Sequence, residues 1–484
     1  MSSIYFVALP LLFGFATPLL KKLGKNGVAY ASTGMQAVLF LLALNLAATS
    51  SWEVEVISIN PPLGISFVLN GASLFFVLLF TLLMLLFSLY YMGMRKENPF
   101  PDENKFFILV NMLLAASIGL VLSSDIFNIY VFFEIAGISA YILSAYRKTP
   151  KALEAGLKYL LTGMVASAFL LFGIALIYIH LGSLNLAVLS GSFSTLPFNM
   201  KLLISLLLFI GFGFKVEIFP LNFWVTDVYE GADPLIDSLF SSIVVKAYLF
   251  VFFHILYLFM PASPFAPFLL LAGAVSMLAA EIVALKQDNL KRVFAYSSLG
   301  QVGLIFAVLS LESRMAVEAG FFIVFAHSVA KMAIFLSITS VVHTYKSEAV
   351  STLKVLHSPM ITVTFVLSML SLLGIPLFAG FVGKFLALKS FSSSGEFLVL
   401  GIVLLASLIE SIYYFKIAGN LFGKREKGER VYLASSQKAV FSILILLLVA
   451  VGTMPWLYSG FLYDASAAMV DTATYANLLT GGLK

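Results

Sequence analysis

No cysteine occurs among the 484 residues of this chain, and only 11% of its residues are charged. The first absence excludes a disulfide framework, a thiolate nucleophile and cysteine-ligated zinc or iron–sulfur clusters within the chain. Soluble-domain stretches, low-complexity tracts and nucleotide-binding glycine loops are missing too. The "GFGF" at 211–214 precedes no phosphate-binding context and reads as a helix break. Histidines and carboxylates do not stand at ligand spacing, so the sequence predicts no metal site and no cofactor. A formal net charge of +5 needs no nucleic-acid partner, because loop lysines and arginines account for it.

What the chain has is apolar residues, 61% of it. Runs near or above ~20 residues recur throughout, the length a helix needs to cross ~30 Å of hydrocarbon. The first run is full length and is followed by more of the same, so it reads as a span and not as a cleaved signal peptide. The sequence predicts an all-α polytopic membrane protein of fourteen helices, at 3–21, 27–48, 71–94, 105–123, 124–145, 155–181, 201–224, 234–259, 266–286, 292–310, 314–343, 358–390, 397–422 and 438–460. Basic residues cluster at Lys21, Lys22 and Lys25, at Arg95, Lys96 and Lys105, and at Arg147, Lys148 and Lys151. Further clusters are Lys286, Lys291 and Arg292, then Lys346 with Lys354, then "KREKGER". Each follows an odd-numbered helix. Basic short loops stay cytoplasmic, which predicts a cell-membrane protein with both termini external. Between helices 2 and 3, "SWEVEVISINPPLGISFVL" alternates around a Pro-Pro-Leu-Gly turn and predicts a short external β-hairpin.

With the loops set aside, Glu134, Lys215, Lys246, His327, Lys331, Lys384 and Glu410 remain inside helices. An ionised group in hydrocarbon costs at least ~3 kcal/mol even on forgiving scales. These groups must therefore face a protein or water-lined interior and compensate one another. Structural ion pairs are a poor reason to keep them, since replacing a buried pair by apolar residues is often neutral or stabilising. A proton or cation relay is the better reading: a lysine's proton affinity changes as a carboxylate such as Glu134 moves toward or away from it. His327 and Lys331, four residues apart, share a helix face. His180, His254, His343 and His357, near helix ends or loops, read as ordinary hydrogen-bonded histidines.

Two helices are interrupted by sequence. Glycines precede Lys215 and Pro220 follows it in helix 7; Gly374 and Pro376 precede Lys384 in helix 12. Unwound backbone is tolerated in a membrane only where it is buried or lines a cavity. Broken helices five positions apart imply two inverted repeats, helices 4–8 and 9–13. The organisation expected is an N-terminal unit at 1–104 with the hairpin, repeats at 105–260 and 261–425, and a C-terminal helix and tail at 426–484.

The runs "FFEIAGISAYIL", "FKVEIFPLNFWVTDVYEGADP", "KRVFAYSSLGQVG", "FAHSVAKMAIFLS" and "GIPLFAGFVGKF", in that order, resemble the motifs of the antiporter-like subunits. These subunits occur in respiratory complex I, Mrp-type sodium/proton antiporters, membrane-bound hydrogenases and related archaeal complexes. The likeness is closest to the N-type chain of complex I and next to the Mrp D-type. It implies translocation roles for Glu134, Lys215, Lys246, His327, Lys331 and Lys384, with Lys384 as the terminal exchange position. Asp227, Gln301 and Glu410 join them as further candidates. Gln301 stands where a histidine often sits, Asn70 replaces a common aspartate, Asn222 a frequent histidine, and Asp227 lacks the usual preceding proline. The resemblance implies a proton- or sodium-translocating subunit among other hydrophobic subunits and lipids, without a redox centre of its own. An Mrp-type antiporter subunit, a stand-alone solute transporter and a non-pumping scaffold are the alternatives.

Overall fold

The computed structural model describes residues 3–20, 22, 27–49, 53–56, 64–259, 265–423 and 428–480. Lys21, Lys25, the Pro-Pro-Leu turn and residues 424–427 lie outside them. The described helices are α1 (Tyr5–Leu20), α2 (Gly27–Thr49), α3 (Gly71–Met94), α4 (Glu103–Leu122), α5 (Ile126–Ser144), α6 (Pro150–Leu181), α7 (Leu186–Ser192), α8 (Phe198–Val216), α9 (Val225–Gly231) and α10 (Pro234–Leu239). They continue with α11 (Val245–Phe259), α12 (Ala266–Ala284), α13 (Leu290–Leu309), α14 (Arg314–Tyr345), α15 (Pro359–Leu373), α16 (Ala379–Ser393), α17 (Phe397–Phe422), α18 (Ser435–Thr453), α19 (Ser459–Val470) and α20 (Thr472–Thr480). Twelve helices among the described residues are long and apolar enough to cross a membrane, counting α10 through α11 as one. The protein is a multi-pass membrane protein. α1 and the interrupted α15–α16 pair fall short of that length individually.

The hairpin expected from the alternating stretch is present as two antiparallel strands, β1 (Glu53–Val56) and β2 (Ser66–Leu69), with Glu53 opposite Leu69. Asn70 then starts α3. Its side chain accepts from Ser73 N–H at 2.9 Å while its own N–H donates to Ser73 Oγ at 2.8 Å. Asparagine caps as well as aspartate, so this local function survives the replacement.

Side-chain bonds tie the charged connections into one face. Arg147, after α5, binds Asp233 ahead of α10 at 2.6 Å; Asn98, after α3, contacts His343 near the end of α14 at 2.8 Å; Lys291 of α13 pairs with Glu348 at 2.8 Å. The opposite face carries β2, the α4–α5 turn bonded to it through Ser66 and Ser124, and the segment entering α7. α14 and α3, both largely buried, form the centre. α6 and α17 turn leucines and phenylalanines such as Leu157, Phe172, Leu408 and Phe415 outward.

Two helices are broken, as the sequence expected, and the C-terminal region holds more helix than expected. Helix 7, placed at 201–224, is interrupted: α8 stops at Val216 where Glu217 turns left-handed (φ 66°), and helix resumes only at Val225. Helix 12, placed at 358–390, breaks at Gly374 (φ 78°) and Leu377 (φ 80°) into α15 and α16. The segment after Thr453 is not a bare tail. α19 packs on α3 and α14, and α20 packs on α7, with Tyr475 of α20 edge-on to His254.

Candidate functional site: a buried chain of ionisable residues

Lys215 lies on the last turn of α8, just before the break, and is 2% exposed. Its Nζ donates to the Tyr141 hydroxyl at 2.6 Å and faces the rings of Tyr141, Tyr159, Phe133 and Tyr248 at 4.5 to 5.7 Å. Ring quadrupoles attract an ammonium, each by about 0.5–2 kcal/mol depending on desolvation. Glu134, one helical stretch earlier on α5, does not close onto the lysine. Its Oε1 is buried without a hydrogen-bond partner among the described residues. Glu134 lies within electrostatic reach of the lysine, and the sequence did not name the tyrosine bonded to it.

Lys246, fully buried, opens α11 behind a π-helical turn at Phe240–Val244. That wider turn sends Val245 N–H to Phe240 O, so Ser241 O is free of its ordinary α-helical partner and receives Lys246 Nζ at 2.5 Å. The Ser241 hydroxyl meets Ser298 Oγ of α13 at 2.7 Å. One residue earlier on α13, Ser297 Oγ accepts from Lys331 Nζ at 2.7 Å, and Phe294 O accepts from the same ammonium at 2.9 Å. Ser297 and Ser298, adjacent on α13, thus bond toward two different lysine-bearing helices. His327 sits one turn from Lys331 on α14, as the spacing predicted, with both ring nitrogens unpartnered among the described residues and within electrostatic reach of Lys246 and Lys331.

α13 and α17 zip together through two pairs spaced by four residues. Ser297 contacts the Tyr414 hydroxyl at 2.6 Å, and Gln301 Nε2 donates to Glu410 Oε1 at 2.9 Å. The second oxygen of Glu410 takes Lys384 Nζ at 2.9 Å. Glu410 is fully buried and faces this interior, not a neighbouring chain. Gln301 is thus a donor within this buried cluster.

Asp227 is placed apart from these groups. It stands at the edge, bonded to Lys158 at 2.8 Å and Arg292 at 3.0 Å, with its side chain 38% exposed. Burial raises its carboxyl, but the two cationic donors outweigh that and hold it below the usual carboxylate range. Asp233 behaves alike: burial raises it, and the His343 contact and the Arg147 charge more than offset the rise. His343, read from sequence as a bystander, belongs to this clamp.

Three buried acids escaped the sequence reading. Glu281 of α12 accepts from Tyr413 at 2.7 Å, its other oxygen is unpartnered, and it lies within reach of Glu410, Lys384 and Lys331. Gly300 makes room for it, since a Cβ there would stand 1.9 Å from Glu281 Oε1. Glu217, at the α8 break, is 2% exposed and within reach of Lys246. Asp237 of α10 is fully buried. Each lies within five residues of a helix end or a helix break, which made it resemble an ordinary end charge. Among the described residues, no three His, Cys, Asp or Glu are arranged to hold a metal ion.

A family model described as NADH:quinone oxidoreductase/Mrp antiporter, TM matches residues 123–410. NADH-quinone oxidoreductase subunit N of Desulfitobacterium hafniense is 30% identical over 374 residues, spanning 71% of this chain and 75% of that protein. Among solved structures, a chain of the membrane-bound sulfane sulfur reductase, an archaeal respiratory membrane complex, superposes with a TM-score of 0.93 at 30% identity, covering 99% of each chain. A chain of the Mrp complex from Dietzia sp. shares the fold, with a TM-score of 0.90 at 21% identity over 99% of this chain and 98% of that one.

Proposed function

Because this chain belongs to the NADH:quinone oxidoreductase/Mrp antiporter transmembrane family, we propose that it moves protons across the cell membrane as the antiporter-like subunit of a redox-driven complex. One observation carries this reading. Contacts under 3 Å join Lys246 Nζ to Ser241 O and the Ser241 hydroxyl to Ser298, others join Lys331 to Ser297, the next residue on α13, and a third set joins Gln301 and Glu410 to Lys384. Proton transfer needs only titratable groups and hydroxyls within hydrogen-bond reach of one another. No electron-carrying group is required in this chain; donor and acceptor chemistry would belong to other subunits.

Glu134 and Lys215 form the loading end, with Tyr141 holding the lysine while the carboxylate is away. His327 and Lys331 form the centre, and Lys384 with Glu410 the exit. In this account the charged face is cytoplasmic and both termini are external, in keeping with the basic residues gathered there. α1 and the α15–α16 pair complete fourteen spans. Repeats at 105–260 and 261–425 would then begin on opposite faces and carry the two broken helices in matching places, with 1–104 and 426–484 flanking them. The 30% identity to a chain of a respiratory complex, against 21% to an Mrp chain, favours redox drive over sodium/proton exchange.

The test is purification of the native assembly through a tag on this chain, followed by reconstitution in sealed vesicles. Co-purifying redox subunits and substrate-driven proton movement in sodium-free buffer are expected. Sodium uptake driven only by an imposed pH gradient, with no redox subunit present, would overturn the reading in favour of an antiporter.

A further inference from the structure

Asp233, Asp237 and Ser241 are spaced by four along α10 and the π turn that follows it, so they form a stripe on one face of the span. The stripe begins at the charged surface. There Asp233 is held by Arg147, at 2.6 Å, and by His343, at 3.6 Å. His343 also lines a cavity of about 280 Å³ with Asn98, Glu97 and Ser340. The stripe ends at Lys246, whose Nζ donates to Ser241 O. Midway along it, Asp237 is fully buried, and neither of its carboxylate oxygens has a hydrogen-bond partner among the described residues. The Tyr229 hydroxyl is buried, has no hydrogen-bond partner among the described residues, and lies within electrostatic reach of Asp237 and Glu217 and toward Ser241.

A carboxylate with no bond to either oxygen is a costly thing to keep inside a protein. The charges within reach of Asp237 are Lys291, Asp233 and Glu348, and Lys291 is already engaged by Glu348 at 2.8 Å and by the carbonyls of Glu230 and Ala232. Charge compensation by Lys291 is therefore shared with a closer acid and does not account for the bare oxygens.

We propose that Asp237 is the proton carrier between the cavity at His343 and Lys246. The inference rests on the translocation reading above and supplies its entrance. A proton arriving from cavity water by way of His343 and Asp233 binds the Asp237 carboxylate and makes it a neutral acid. That acid releases the proton through the Tyr229 and Ser241 hydroxyls, each accepting one proton and donating another, to Lys246 in its amine form. Asp237 returns to carboxylate and Lys246 becomes ammonium, so charge and protons balance at each step.

The experiment uses the purified parent complex in sealed vesicles, comparing the wild type with Asp237→Asn, Asp237→Glu and Lys331→Met. Asp237→Asn keeps the side-chain shape but cannot carry a proton. The ion-to-turnover ratio is expected to fall by this subunit's whole share in Asp237→Asn and to recover in Asp237→Glu, with assembly and melting temperature near wild type in both. If Asp237→Asn fails to assemble, Asp237→Ser, smaller and neutral, carries the same test. Wild-type ratios in the neutral variant alongside a deficient Lys331→Met would overturn the entrance while leaving the translocation reading standing. Wild-type ratios in Lys331→Met as well would overturn both.

Discussion

The Lys215→Ala variant is expected to assemble with its partners and to lose this subunit's translocation. Assembly should survive because the interactions removed are modest. An ammonium facing four rings is worth a few kcal/mol at most, and Tyr141 left without its partner costs about 1–3 kcal/mol. The break below the lysine does not depend on that amine either. It is set by the left-handed Glu217 and by Phe219 N–H donating to Ser276 Oγ at 2.6 Å. Translocation should fail because the loading end then has no base to take the proton that Glu134 controls. Vesicles holding the tagged complex, with driving turnover and ion movement recorded together, check this. An unchanged ratio of ions to turnovers would remove Lys215 from the path.

The larger effect on stability belongs to Lys384. Methionine there leaves Glu410 buried and without its cation, and breaking a buried pair in this way typically costs about 3–5 kcal/mol. Gln301 alone compensates little, since a neutral amide donor replaces no charge. A lowered melting temperature of the purified complex is therefore expected for Lys384→Met. Removing the acid as well, in Lys384→Met with Glu410→Met, should return most of the loss, because apolar replacements of a buried pair are often neutral or stabilising by about 1–4 kcal/mol. Translocation should be absent in both variants. The pair would be structural only if the double variant were both stable and active.

The residues that showed through the sequence did so for one physical reason. Glu134, Lys215, Lys246, Lys331 and Lys384 interrupt long apolar runs, where an ionised group has no business unless the interior accommodates it. The helix breaks showed through because Pro220, Gly374 and Pro376 alter backbone geometry wherever they occur. What stayed hidden was pairing. Which partner a buried lysine chooses depends on the rotation of neighbouring helices, and nothing in "FFEIAGISAYIL" says that Tyr141, two turns after Glu134, reaches Lys215 first. Glu281, Glu217 and Asp237 were hidden by position, beside loops and breaks where charge is unremarkable. The zip of Ser297 and Gln301 against Glu410 and Tyr414 was legible in principle, since both pairs keep a four-residue spacing, but polar residues on two helices do not announce that those helices touch. α19 and α20 were missed because residues 459–480 mix serine, threonine and alanine with too few long apolar side chains to read as spans.

The two ends of the proposed path meet at Lys331, which is fully buried and bonds only through its ammonium to Ser297 and Phe294 O among the described residues. Ion movement per turnover in vesicles carrying Lys331→Met is the most direct measurement. If protons pass along one connected interior route, the ratio drops by as much as it does for Lys215→Ala, although the two lysines sit on separate helices. A wild-type ratio in a fully assembled complex would mean that the lysines act independently and that no such route joins them.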